Sequence, residues 1–181
     1  MAHQVYLTEG IILKKKDFGE ADRLFWIYTE KFGMIMASAK GVRLEKSKLR
    51  NSLSVFSYGE FAVISSRDFW RIVDAREKVL PKTNAGFSEQ AKVFAKIVNL
   101  AVRMIKGEDR NDKAWLELKN VFVKIFTKPI RQAGDQAENI KDLEITSVAR
   151  LLKALGYIDK ISENKSDLLL SINRAIKESM L

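Results

Sequence analysis

The sequence predicts an α+β protein in which a five-stranded barrel is followed by a helical domain. Up to residue 79, apolar and polar residues tend to alternate and β-branched and aromatic residues are frequent, which is typical of strands. Beyond Pro81, one of two prolines in the chain, apolar residues recur every three to four positions, which is typical of amphipathic helices. We therefore predict one domain at residues 1–80 and a second, helical domain at residues 81–181.

Five segments of the first domain are predicted as strands. The first two, Val5–Lys16 and Ala21–Glu30, flank the turn Asp17–Glu20. The second carries apolar residues on both faces, as expected where one face lines a barrel and the other is covered by a neighbouring domain. The remaining predicted strands are Met34–Lys40, Ser57–Ser66 and Phe69–Val79.

The connection between the third and fourth predicted strands is long. Gly41–Asn51 is polar and basic and begins with glycine, so the strand pattern ends there. Five strands within about 75 residues favour a small closed barrel, and a long connection at this position is expected of the oligonucleotide-binding (OB) fold. The predicted fold is therefore an N-terminal five-stranded OB-fold barrel followed by a helical C-terminal domain.

Four amphipathic helices are predicted in the second domain. Ser88 is a suitable N-cap for the first, and Gly107 and Gly156 are suitable stops for the first and third. The second ends before Pro129, and the fourth spans about Ser166–Met180. The residues expected on the buried face of the fourth helix are Leu169, Ile172, Ile176 and Met180.

The composition restricts the classes of function. Lys and Arg number 32 against 23 Asp and Glu, a net charge of +9, which favours a polyanionic partner such as nucleic acid or an anionic membrane surface, although a generic basic protein is an alternative. The chain has no cysteine, and its one histidine, His3, lies beside the N-terminus. Thiol catalysis, cysteine-ligated metals and a histidine-based site are therefore not expected.

Other classes of function lack their usual motifs. The phosphate-binding pattern GxxxxGK[ST] is missing, and no spacing of acidic residues singles out a metal site. The start of the chain has no basic segment followed by an apolar one, and no apolar run approaches the ~20 residues of a membrane span. We expect a cytoplasmic, non-enzymatic protein without a cofactor, a metal or a membrane association.

The segment from Ala39 to Arg50 is the strongest candidate for a binding site. It contains five cations and one acid, Glu45. Spaced cations can neutralise successive phosphates and release condensed counterions, so the segment predicts contact with a nucleic-acid backbone, whereas the alternative is a solvated basic loop. The five cations are Lys40, Arg43, Lys46, Lys48 and Arg50.

A second group of cations lies at the end of the first predicted strand. Lys14, Lys15 and Lys16 are consecutive, and Arg23 and Arg71 on other strands are predicted to extend a basic surface from them. The alternative is edge protection, because lysines discourage pairing between sheet edges. The acidic residues nearby, such as Glu20 and Asp22, are expected to form surface ion pairs.

Aromatic side chains that stack on unpaired bases would be a second indication of single-strand binding. Most aromatic residues at alternating strand positions are expected to pack in the core or between the domains, so no stacking residue is assigned from the sequence. The candidates are Phe25, Trp26, Tyr28, Phe56, Tyr58, Phe69 and Trp70.

Several of these segments together resemble the RecO family. The run from Glu9 to Phe61 is similar to the family's N-terminal OB domain, and Ala149–Tyr157 is similar to its helix ending in Leu-Gly-Tyr. Many members carry a four-cysteine zinc site after that helix, so this cysteine-free chain resembles a shortened, metal-free form. The matching elements are Gly10–Leu13, Gly19-Glu20, Gly33, Ala39–Arg43, Lys46–Lys48 and Leu53–Phe56.

The resemblance implies a non-enzymatic recombination mediator of bacterial DNA repair. Such proteins bind single- and double-stranded DNA, anneal complementary strands, and act with RecR to load RecA onto DNA coated by single-strand-binding protein. The implied partners are therefore DNA, RecR, single-strand-binding protein and, indirectly, RecA. On the residues alone, a protein–protein adaptor, an RNA-binding protein and a metal-dependent nuclease remain alternatives.

Overall fold

The computed structural model describes residues 4–79, 89–105, 107–126 and 140–179, without the side chains of Glu89, Gln90 and Ile140. The chain divides into two compact units. One runs from Met1 to Pro81 and also takes in Lys106–Arg110, and the other takes in Lys82–Ile105 and Asn111–Leu181. The predicted domain limits, 1–80 and 81–181, stay a prediction.

Five strands form a closed barrel in the first unit. Their order around the barrel is β1-β2-β3-β5-β4, with β3 and β5 parallel and the other pairs antiparallel. A closed five-stranded barrel with a long connection between β3 and β4 confirms the predicted OB fold. The strands are β1 (Val5–Phe18), β2 (Asp22–Thr29), β3 (Gly33–Ala39), β4 (Tyr58–Ile64) and β5 (Trp70–Val79).

Strand β1 pairs with two neighbouring strands, β4 and β2, because it bends at a bulge. Its first half pairs with β4 and its second half with β2, and the register shifts between Ile12 and Lys14. An extra residue in one strand increases local bending and twist, so the second half of β1 follows β2 away from β4. Lys14–Phe18 therefore pair with β2 but not with β4, and they lead into the β1–β2 turn.

The interior of the barrel is apolar, and its residues alternate along the strands with residues that face outward. Ile35, Ala37 and Ala39 are completely buried in the barrel core, whereas Met36 and Ser38 between them are only partly buried. Because successive side chains of a strand point to opposite faces, one face of β3 lines the interior and the other faces outward. Burial of an aliphatic side chain contributes about 1.5–3 kcal/mol, so this alternation fixes the register of β3.

The connection between β3 and β4 closes over the barrel core. Val42 and Leu53 are buried in the core, and Leu49 packs against it. Backbone hydrogen bonds recur every three residues, from the Leu44 amide to the Gly41 carbonyl at 3.1 Å and from the Ser47 amide to the Leu44 carbonyl at 3.1 Å. The connection is therefore a chain of turns anchored by apolar side chains.

The predicted four helices are present among the described residues. The positive φ angles of Gly107 (77°) and Gly156 (82°) fit their predicted roles after helix ends, because glycine adopts the left-handed region without strain. Ser88, Pro129 and Met180 lie outside the described residues. No helix in the described ranges is long and apolar enough to cross a membrane. The helices are α1 (Glu89–Met104), α2 (Asp112–Phe126), α3 (Ile140–Ala154) and α4 (Lys165–Glu178).

The buried face of α4 differs from the prediction. Leu169 is 38% exposed, whereas its neighbour Leu168 is buried together with Ile172 and Ala175. The positions 168, 172 and 175 are separated by four and three residues, which places them on one side of a helix. The expectation that Leu169 lies inside is therefore wrong, while Ile172 is confirmed.

Candidate nucleic-acid interface

A row of paired residues crosses four strands on the outside of the barrel. Lys16 pairs with Leu24, Leu24 with Ser38, and Ser38 with Arg71. Directly paired residues share a face of the sheet, and Ser38 lies on the outward face of β3. Lys16 and Arg71 therefore lie on one outer row, three strand spacings or about 14 Å apart at the backbone.

Lys14 lies two residues before Lys16 on β1, so it shares the same outer face. It pairs with Trp26, and its Nζ lies 5.1 Å from the centroid of the Trp26 ring. This is a cation–π contact, which directs the ammonium group over the indole and covers one ring face. Lys15 pairs with Phe25 on the opposite face, and its side chain is exposed.

The carboxylate of Asp17 lies beside three of the predicted cations, Lys15, Arg23 and Arg43. Its Oδ1 accepts a hydrogen bond from Nε of Arg23 at 2.6 Å, and its Oδ2 lies 3.7 Å from Nε of Arg43. The hydrogen bond from Arg23 lowers the pKa of Asp17, and the charges of Arg23, Arg43 and Lys15 lower it further. Three cations from β1, β2 and the β3–β4 connection thus surround one carboxylate, which leaves the group cationic.

The start of the basic connection is held on the β1–β2 turn. The Gly41 amide donates to Oδ1 of Asp22 at 2.7 Å, and the Arg43 amide donates to the Ala21 carbonyl at 2.9 Å. The guanidinium of Arg43 also donates to the Gly19 carbonyl at 3.3 Å. Asp22 therefore orders the connection instead of forming the expected ion pair, and among the described residues Glu20 has no ion pair either.

The other cations of the connection face solvent. Lys40, Lys46, Lys48 and Arg50 are exposed, and no carboxylate in the described part of the chain forms an ion pair with them. Val42 and Leu49 point inward between them, so the buried apolar residues hold the connection while its cations project outward. The described contacts join Lys15, Arg23 and Arg43, but none links Lys46, Lys48 or Arg50 to Lys14–Lys16.

Several of the aromatic candidates are buried or packed against other side chains, as the sequence suggested. Phe25 and Tyr28 are completely buried and Tyr58 is nearly so. Trp70 lies 4.8 Å from Phe32, centroid to centroid, and its Nε1 donates to Oε1 of Glu108 at 2.9 Å. These contacts account for Trp70 as a packing residue at one end of the barrel.

One exposed aromatic residue, Phe18, is not among the candidates predicted from the sequence. Phe18, the last residue of β1, is 47% exposed and lies edge-to-face with Phe69, at 6.1 Å between ring centroids. Phe18 precedes the β1–β2 turn and Phe69 ends the β4–β5 connection, and OB barrels commonly bind oligonucleotides with these two connections and the adjoining strand face. The signal in the sequence was an aromatic residue between a lysine run and a turn glycine.

Comparisons with known proteins agree with the resemblance. Residues 1–76 match the family model described as Recombination protein O N terminal. The chain is 29% identical to the DNA repair protein RecO of Clostridium novyi (strain NT) over 158 residues, which cover 84% of this chain and 57% of that protein. It is 24% identical to the protein of the same name from Desulfitobacterium hafniense (strain DSM 10664 / DCB-2) over 166 residues, covering 88% of this chain and 55% of that protein.

A shorter match is confined to part of the chain. The DNA repair protein RecO of Alkaliphilus metalliredigens (strain QYMF) is 37% identical over 71 residues, which cover 39% of this chain and 29% of that protein. The longer matches cover 57% and 55% of their relatives. The chain thus spans little more than half the length of the curated relatives that it matches along most of its own length.

Proposed function

We propose that this chain, whose residues 1–76 match the Recombination protein O N-terminal family model, binds DNA on the cationic outside of its barrel as a recombination mediator in DNA repair. The main support is that carboxylates neutralise few of the ten predicted cations. Of these ten, only Arg23 and Arg43 form an ion pair with a carboxylate of the described residues. The other eight keep their charge available for phosphates.

Phosphate contacts by these cations account for binding without sequence preference. Each neutralised phosphate releases condensed counterions, so the affinity falls as the salt concentration rises. With about five phosphate contacts, log K plotted against log salt concentration has a slope of about −3.5 on single strands. Contacts to phosphate carry no sequence information, so this slope is the same for oligomers of different sequence.

Strand annealing follows from the same chemistry. Two complementary strands repel each other through their phosphates, and a cationic surface that screens this repulsion lets base pairing drive the reaction. No catalytic group is required. We therefore propose annealing as the activity, with RecR and single-strand-binding protein as partners and RecA loading as the outcome, in line with the family.

The basic connection gives a direct test of DNA binding. Replacing its five cations by alanine should weaken binding to all sequences and make the salt slope shallower, as measured by fluorescence anisotropy over a salt series. A matched control removes five exposed cations of the helical unit and should change the affinity less. The substitutions are Lys40→Ala, Arg43→Ala, Lys46→Ala, Lys48→Ala and Arg50→Ala, and the control set is Arg103→Ala, Arg150→Ala, Lys153→Ala, Lys160→Ala and Lys177→Ala.

Two further measurements separate this proposal from its alternatives. An annealing assay with complementary strands, with and without single-strand-binding protein, tests the mediator activity, and no acceleration over the protein-free reaction argues against it. Competition between DNA and RNA oligomers of the same sequence tests an RNA-binding role, because phosphate contacts alone do not distinguish the two. An adaptor role would fit a connection neutralised by its own carboxylates, and four of the five cations have no such partner among the described residues.

A further inference from the structure

We propose that Phe18 and Phe69 form a stacking surface for an unpaired nucleobase, so that the barrel holds single strands through bases as well as phosphates. The inference rests on the proposed function, because it assigns a second kind of contact to the same nucleic-acid surface. A base in a duplex is already stacked and paired with other bases. This surface would therefore favour single strands over duplexes.

The position of the two rings is the first argument. Phe18 pairs with Asp22 across the β1–β2 turn, and Phe69 lies directly before β5, so the ring contact joins the two connections that OB barrels use for oligonucleotides. The rings meet at an interplanar angle of 76°. An edge-to-face contact of this kind leaves ring faces without a stacked neighbour, and a planar base stacks on such a face.

The exposure of Phe18 is the second argument. Within the described ranges it is the one aromatic residue among the exposed large apolar side chains, at 47% exposure. The two partly exposed tryptophans of the barrel, Trp26 and Trp70, already contact other side chains through their rings. Lys14 lies over Trp26, while Trp70 packs on Phe32 and its ring N–H is used by Glu108.

The charges beside the rings are the third argument. Lys16 lies two residues before Phe18 on the same face of β1, and Arg71 lies two residues after Phe69. Both cations are exposed and neither has an ion-pair partner among the residues that the structure describes. A single strand that stacks one base on Phe18 thus meets cations for its adjacent phosphates.

Oligomers with and without bases test the proposal. The full chain is titrated by fluorescence anisotropy, at low salt, with a thymidine oligomer and with an abasic oligomer of the same length, which carries the same phosphates. Stacking of one base makes the thymidine oligomer bind about five-fold more tightly or better. Phe18→Leu, which keeps an apolar side chain without a ring, should remove most of this preference, and Phe18→Trp should keep it.

The outcomes distinguish base stacking from phosphate binding. Equal binding of the two oligomers by the unaltered chain overturns the stacking surface and leaves phosphate binding intact, whereas binding of neither overturns the proposed function as well. A Phe18→Leu protein that keeps the full preference also overturns the inference, as does a Phe18→Trp protein that loses it. Leu44→Ala is the matched control, because Leu44 is an exposed apolar residue (57%) of the basic connection and its loss should leave the preference unchanged.

Discussion

Asp17 of β1 and Arg43 of the β3–β4 connection lie 3.7 Å apart, measured from Oδ2 to Nε. The same carboxylate accepts a hydrogen bond from Arg23, so it bridges two arginines from different elements. Asp17 can act in two opposing ways. It orients the guanidinium groups, and it cancels part of the positive charge that a phosphate would meet. Substitution of Asp17 distinguishes these effects.

Asp17→Asn should tighten binding to single-stranded DNA at low salt by about two- to five-fold, because it removes one negative charge beside Lys15, Arg23 and Arg43. Fluorescence anisotropy measures the change. Asp167→Asn, at an exposed position in the first turn of α4, alters the net charge equally and should have a smaller effect. Weaker binding of the Asp17→Asn protein would show that orientation of the arginines matters more than local charge.

The pKa of Asp17 gives an independent measure of the same cluster. The hydrogen bond from Arg23 holds this pKa below its ordinary value. Because the pKa is lower in the folded than in the unfolded protein, the pairing stabilises the fold above the unfolded-state pKa, and this stabilisation is lost as the pH falls through the folded-state pKa. Arg23→Met should move the pKa upward, as followed by NMR titration of the carboxyl carbon. An unchanged midpoint would contradict the pairing.

Two glycines with the same backbone conformation should respond differently to alanine. Gly19 and Gly33 have φ angles of +63° and +64°, so alanine at either position costs about 1–2 kcal/mol in the left-handed region. A Cβ on Gly19 meets nothing within 4 Å, whereas one on Gly33 would lie 2.2 Å from the carbonyl oxygen of Asp109. Gly33→Ala should therefore lower the free energy of unfolding by about 3 kcal/mol or more, as measured by urea denaturation. Equal losses for the two variants would contradict the close packing of Asp109 on the barrel.

The sequence predicted those features that depend on local periodicity. Alternation along β3 separates Ile35 and Ala37 from Met36 and Ser38 because a strand repeats every two residues, and the structure places the first pair in the core. Contacts between distant residues have no such signal. The carboxylate of Asp17 meets Arg43, and the ring of Phe18 meets Phe69, only because the barrel brings separate connections together. The ten cations were chosen from their positions in the sequence. Which of them are neutralised depends on these tertiary contacts.

Helix α4 shows where periodicity itself gives an ambiguous answer. Leu168, Leu169 and Leu170 are consecutive, so their order alone does not say which one faces the core. The structure buries Leu168, to 7% exposure, and leaves Leu170 at 68%. The helix begins after Asn164, whose side chain accepts a hydrogen bond from the Ser166 amide. Leu168 is buried in one cluster with Leu152 of α3 and with Ile172, so tertiary packing selects the inward face.

Alanine substitutions in this run test the assignment of the buried face. Leu168→Ala should lower the free energy of unfolding by about 2–4 kcal/mol, because it removes buried methyl groups and leaves a cavity among Ile172 and its neighbours. Leu170→Ala removes the same atoms from an exposed site, so it should change the free energy by about 0.5 kcal/mol or less. Urea denaturation followed by far-UV circular dichroism measures both. If Leu169→Ala were the most damaging of the three, the helix would be rotated relative to the structure, and the stripe expected from the sequence alone would be the correct one.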